Sequence, residues 1–93
     1  MTQRRDGAMQ DEYISRMVKN LPVLRAAVGL TQEQLGAKLG VSRQTIVAIE
    51  NGKSPLTWSM YLAMVCVFQN CNESKVLFER LDLFDKSFLL RIM

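Results

Sequence analysis

Residues 30–52 read LTQEQLGAKLGVSRQTIVAIENG, with glycines at 36 and 40 inside a stretch whose apolar residues keep helical spacing. Glycine inside a helix costs roughly 1 kcal/mol relative to alanine. A segment that needed only helical stability would avoid it, so geometry must set both positions. Thr31 is a good N-cap, and Gln34 three residues on completes a capping box. The first helix is therefore expected over 32–39, with Leu35 and Leu39 inward. Ser42 caps a second over 43–50, with Ile46 and Ile49 inward, closed by Asn51 and Gly52. Only Gly40, Val41 and Ser42 join the two. A turn that tight needs positive φ directly after the first helix, which glycine adopts without steric cost. Gly36, in mid-helix, lets the second helix cross closely at a steep angle. The pattern is a helix-turn-helix unit.

The flanks read as further helices. From Asp11, apolar residues at Tyr13, Ile14, Met17, Val18 and Leu21 form one amphipathic stripe. Pro22 then disturbs it, because proline lacks an N–H and biases Leu21 away from helical geometry. Two arrangements fit: one helix kinked at the proline, or a helix ending near Lys19 followed by a new one with Pro22 at its first position. The second is expected, with Asn20 or Leu21 as cap, the first eight residues frayed, and Gly29 ending the helix. Thr57 caps a helix to about Gln69, and Asn72 can cap another over roughly 73–81. The tail, FDKSFLLRIM, allows a helix capped by Asp85 or a short strand. The fold class expected is all-α, a compact bundle of five to six short helices. Its parts are an N-terminal extension (1–19), a helix-turn-helix domain (20–69) and an apolar C-terminal extension (70–93).

Composition narrows the function. Ninety-three residues suit one modest core. No apolar run approaches the roughly 20 residues a membrane span requires, and no secretory signal is visible, so a cytoplasmic protein with no membrane role is expected. There is no histidine, and the two cysteines, Cys66 and Cys71, are five apart. A disulfide framework or a histidine-containing zinc site is disfavoured; both cysteines are expected reduced, with Cys66 a small core residue. Neither a nucleophile motif nor a phosphate-cradling glycine loop is present, so an enzyme is not expected, nor any cofactor or metal. Net charge is +3, and residues 21–69 hold Arg25, Lys38, Arg43 and Lys53 against Glu33 and Glu50. That mild bias is compatible with nucleic acid.

The resemblance to a known family is carried by linked motifs. Residues 32–51 resemble the lambda-repressor-like helix-turn-helix proteins of Cro/Xre type: small Gly36, glycine at 40, and apolar Leu35, Leu39, Val41, Ile46 and Ile49 at the expected places. LR at 24–25, GLTQ at 29–32, VSRQTI at 41–46 and IENGK at 49–53 match the flanks. The resemblance covers about residues 20–69. It implies a lambda-repressor-like domain that binds double-stranded DNA and regulates transcription, as a repressor, with helix 43–50 in the major groove.

Carried over residue by residue, the resemblance places Arg43 and Gln44 at base edges. Arginine's fork suits guanine, and the amide of Gln44 suits adenine. Thr45, Val47 and Ala48 share the outward face as further base contacts; Thr45 resembles the family's phosphate or base contact, and small apolar Val47 or Ala48 suits a thymine methyl. Gln32, Ser42, Asn51 and Lys53 resemble the residues that grip phosphate, which position the protein without reading sequence. Arg25 and Glu50 resemble a structural ion pair that neutralises a carboxylate near the DNA backbone.

The departures from the family concern the fourth helix. Ala63 and Cys66 stand where family members carry polar residues, leaving MYLAMVCVF (60–68) apolar nearly all round. A helix apolar on every face must be covered on every face. The tail adds Val76, Leu77, Phe78, Leu81, Leu83, Phe84, Phe88, Leu89, Leu90, Ile92 and Met93. An intramolecular core absorbs some of this, and a homodimer reading a palindromic operator is expected to take the rest. The alternative is an antitoxin-like interaction module whose C-terminal tail binds a protein partner.

Overall fold

The structure, a computed structural model, describes residues 2–81 and 83. Five helices succeed one another: α1 (Thr2–Val28), α2 (Gln32–Leu39), α3 (Arg43–Glu50), α4 (Trp58–Gln69) and α5 (Asn72–Leu81). The all-α class holds, with no strand among the described residues. α1 lies against α3, α4 and α5, while α2 packs on α3 and α4. The tail's helix or strand, at residues 84–93, lies outside the described residues.

α1 corrects the expected break at Pro22. It is one helix of 27 residues that begins at Thr2, so the segment expected to fray is helical and Pro22 sits in the interior. The reason lies in Tyr13, Met17, Leu21 and Leu24, which make one buried stripe. A break at residue 20 would rotate Leu24 out of register with the others. A fully buried leucine contributes about 1.5–3 kcal/mol, so Leu21 and Leu24 together offset the roughly 3 kcal/mol cost of an interior proline. Asn20, offered as a cap, instead turns its side-chain amide back to the Arg16 carbonyl at 2.8 Å.

The other boundaries follow from caps. Thr31 Oγ1 accepts from the Gln34 N–H at 3.0 Å, and the Gln34 side chain accepts from the Thr31 N–H at 2.9 Å. Ser42 and Thr57 each accept from the N–H three residues on, opening α3 and α4. At α5 the cap is shifted by one residue. The Lys75 N–H donates to the Cys71 carbonyl, so Asn72 is the first helical residue rather than the cap.

Both glycines of the turn are accounted for, one with a changed reason. Gly40 has φ +76°, and the Val41 N–H returns to the Gly36 carbonyl at 2.9 Å. This is the paired closure of a Schellman end. A Cβ on Gly36 would lie 2.7 Å from the Val41 carbonyl oxygen and 3.3 Å from the Ser42 backbone. What needs the space is thus the backbone of the turn itself, rather than the crossing of α3.

Tyr61, Met64, Val65 and Phe68 make the buried face of α4. Cys66, expected in the core, is instead exposed, and Cys71 is half-buried; both are free thiols. Cys66 lies five residues past Tyr61, about 140° round the helix, which turns it away from α1. Ala63 is half-buried, so the outer side of α4 is only partly covered. Leu83 is fully buried, its carbonyl accepting from the Tyr61 hydroxyl, and Leu77 and Leu81 pack on the core. No helix among the described residues is long and apolar enough to cross a membrane.

Candidate nucleic-acid interface

The two ends of α3 carry different chemistry. At its start, Ser42, Arg43 and Gln44 are exposed. Ser42 Oγ holds the Thr45 N–H at 3.3 Å and lies 3.1 Å from Thr45 Oγ1, so the cap and the half-buried Thr45 fix each other. With Ile46 and Ile49 buried inward, the helical period of about 100° per residue puts Gln44 near the centre of the outward face. Val47 and Ala48 lie to either side of it, half-buried, while Arg43 and Thr45 occupy the flanks.

At its end, the carboxylate of Glu50 is enclosed. Arg25 Nε donates to Oε2 at 2.6 Å, and Arg25 Nη2 donates to Oε1 at 3.1 Å. Gln32 Nε2 adds a third bond to Oε1 at 3.0 Å. The guanidinium is held in turn by the Leu30 carbonyl through Nη1 at 3.1 Å. The Glu50 side chain is only 7% exposed and that of Arg25 17%. A two-pronged arginine–carboxylate contact is among the stronger side-chain contacts, and here it ties α1, the start of α2 and the end of α3 into one unit.

Gln32 therefore stands in two settings. It is the first residue of α2, where N–H groups and the positive helix end favour an anion, and one amide hydrogen is committed to Glu50. Nothing in a spacing of eighteen residues announces that bond. Arg25, Thr31, Gln32, Glu33 and Arg43 line one shallow depression of about 490 Å³. The geometry thus brings the start of α2 beside the first turn of α3.

Asn51 and Lys53 lie beyond the end of α3, both exposed. The loop that carries them is fixed: the N–H groups of Lys53 and Ser54 both return to the Ala48 carbonyl, at 2.9 and 3.2 Å. All four positions selected for phosphate contact, Gln32, Ser42, Asn51 and Lys53, are thus held by helix caps or pinned backbone. Taken together, the described site is a protruding helix end with a cationic and an amide side chain, bordered by backbone-fixed polar groups. It suits a polyanion with readable edges.

Comparison with known proteins agrees with the helix-turn-helix formed by α2 and α3. A family model described as helix-turn-helix matches residues 24–73. An uncharacterized HTH-type transcriptional regulator of Methanocaldococcus jannaschii is 62% identical over 37 residues, which is 40% of this chain and 56% of that protein. The match thus spans little more than half of that relative. One from Archaeoglobus fulgidus is 37% identical over 62 residues, covering 67% of this chain and 89% of the relative. A Bacillus subtilis regulator, also uncharacterized, is 50% identical over 36 residues, 39% of this chain and 54% of its own. No solved structure gives a significant match. On the family match and the Archaeoglobus relative, the chain belongs to the Cro/C1-type helix-turn-helix family.

Proposed function

We propose that this protein is a sequence-specific double-stranded DNA-binding transcriptional regulator, acting as a repressor, with α3 inserted in the major groove. The observation that carries this is the contrast within α3: Arg43 and Gln44 stand exposed on its first turn, while Glu50 is neutralised at its last. A carboxylate left open near phosphate would oppose binding; three donors on Glu50 remove that obstacle. Arg43 and Gln44 contact base edges, each good two-pronged contact being worth about 1–3 kcal/mol of discrimination. Thr45, Val47 and Ala48 complete the base-facing surface, and Gln32, Ser42, Asn51 and Lys53 hold the backbone. The family membership and the regulators it resembles support the same function.

A homodimer accompanies this function. The outer side of α4, with Ala63 and Cys66, is only partly covered and uncharged, which suits a second copy. Two modules related by a two-fold axis read a palindrome with half-sites about one helical turn apart. A tail-bound protein partner gains no support here: Leu83 is buried in the protein's own core, and residues 84–93 lie outside the described residues.

Selection of bound sequences from random duplex DNA tests the function, with Arg43→Ala/Gln44→Ala as the parallel control. The expected result is a palindromic motif that the control loses. A wild-type selection no more enriched than the control would refute sequence reading by α3.

A further inference from the structure

Beyond α3 and its flanking loop, α1 contributes one unused feature to the same side of the molecule. A groove of about 520 Å³ runs between α1 and the loop from α3 to α4. Ile14, Val18 and Leu56 contribute to its apolar lining, and Lys19 lines it together with Gly52 and Ser54. Those two loop residues bracket Lys53, whose backbone is pinned to the last turn of α3. Lys19 and Lys53 are both exposed. Neither makes an ion pair or a side-chain hydrogen bond among the described residues.

Resting on the DNA-binding function above, we propose that this groove seats the sugar-phosphate strand beside the recognition helix, with Lys19 of α1 as an additional phosphate contact. Charge complementarity selects the occupant. One end of the groove carries Lys19 beside the Lys53 loop, and the apolar walls suit the carbon face of deoxyribose. Asp11, which also lines the groove, lies eight residues up the same helix, about 12 Å away at 1.5 Å per residue. Arg25, six residues beyond Lys19 on α1, meets Glu50 at the end of α3, so the Lys19 end of the groove is the one nearer the proposed interface, and the strand enters from that end. The unbroken helix through Pro22 is what makes this possible. It joins Lys19 rigidly to Arg25, which is bonded to Glu50 at the end of α3.

The test measures binding of a labelled duplex by fluorescence anisotropy across a range of NaCl concentrations, using a sequence recovered by the selection above. Each phosphate neutralised contributes about 0.9 to the slope of log K against log salt. Lys19→Ala should lower that slope by about 0.9 and weaken binding about five- to tenfold near 100 mM salt, with Lys19→Arg restoring both. Lys75→Ala, an exposed lysine on α5, should leave slope and affinity as in the wild type. Circular dichroism checks that each variant is folded. A Lys19→Ala slope equal to the wild type's would overturn the role of Lys19 while leaving DNA binding intact. Wild-type binding that is absent, or independent of salt, would overturn the DNA-binding function and this contact with it.

Discussion

The first and last turns of α3 belong to one helix of only eight residues, yet they are built to opposite ends. In the first turn, Arg43 and Gln44 extend into solvent, and the polar groups that are satisfied are those of the cap. In the last turn, Glu50 accepts three hydrogen bonds and is nearly inaccessible. Recognition needs side chains with unmet hydrogen-bonding capacity, whereas orientation of a short helix needs side chains with none left over. An eight-residue helix is too short to be stable alone in water. Its direction must come from contacts made elsewhere, and the Arg25–Glu50–Gln32 cluster supplies them. Stability and specificity are thereby assigned to different residues of one helix.

Substitution at the fixed end should have the largest effect. Glu50→Ala leaves the half-buried Arg25 guanidinium without its carboxylate and should cost about 3–5 kcal/mol, measured by urea denaturation. A loss below about 1 kcal/mol would mean that the two ends are equally unconstrained. Replacing both partners, as Arg25→Met/Glu50→Leu, should recover much of the loss, because the penalty belongs to the abandoned charge. Next comes Gly36→Ala. Helix propensity alone favours alanine by roughly 1 kcal/mol, but the new Cβ meets the Val41 carbonyl at 2.7 Å. A net loss of about 1–3 kcal/mol is expected, seen as a lower Tm; a higher Tm would contradict the packing of the turn.

Gln44→Ala, at the open end, should change stability by no more than about 0.5 kcal/mol. Its effect should appear instead as about 1–3 kcal/mol of lost discrimination at one base position. Gln32→Ala should weaken binding to all sequences alike, and titration against matched operator variants separates the two. Identical profiles for both variants would contradict their assigned roles. Ser42→Ala, which removes the cap of α3, should cost about 1 kcal/mol in the denaturation experiment, less than either Glu50→Ala or Gly36→Ala.

What the sequence made legible divides along the same physical line. The bounds of α2 and α3 could be read because their causes are local: Thr31 and Gln34 are three residues apart, and Gly40 directly follows the helix it ends. The continuity of α1 could not, since the local signal of Pro22 points to a break. What overrides it is burial of Leu21 and Leu24 against helices far along the chain. The outward turn of Cys66 has a related cause. Its small apolar side chain suits a core, but the phase of α4 set by Tyr61 and Met64 turns it outward. At the site, the positions of Arg43 and Gln44 follow from the cap, whereas the bond from Gln32 to Glu50 depends on how α2 and α3 cross. Composition says nothing of that crossing.

The most direct test of the division within this protein is a two-dimensional amide NMR titration with a duplex recovered by selection. The largest shift changes should fall on residues 42–48, on 32–33 and on 51–53, while the α5 amides move little beyond any dimer effect already present without DNA. Changes concentrated on α4 and α5, with 42–48 unmoved, would contradict it and place the binding surface away from α3.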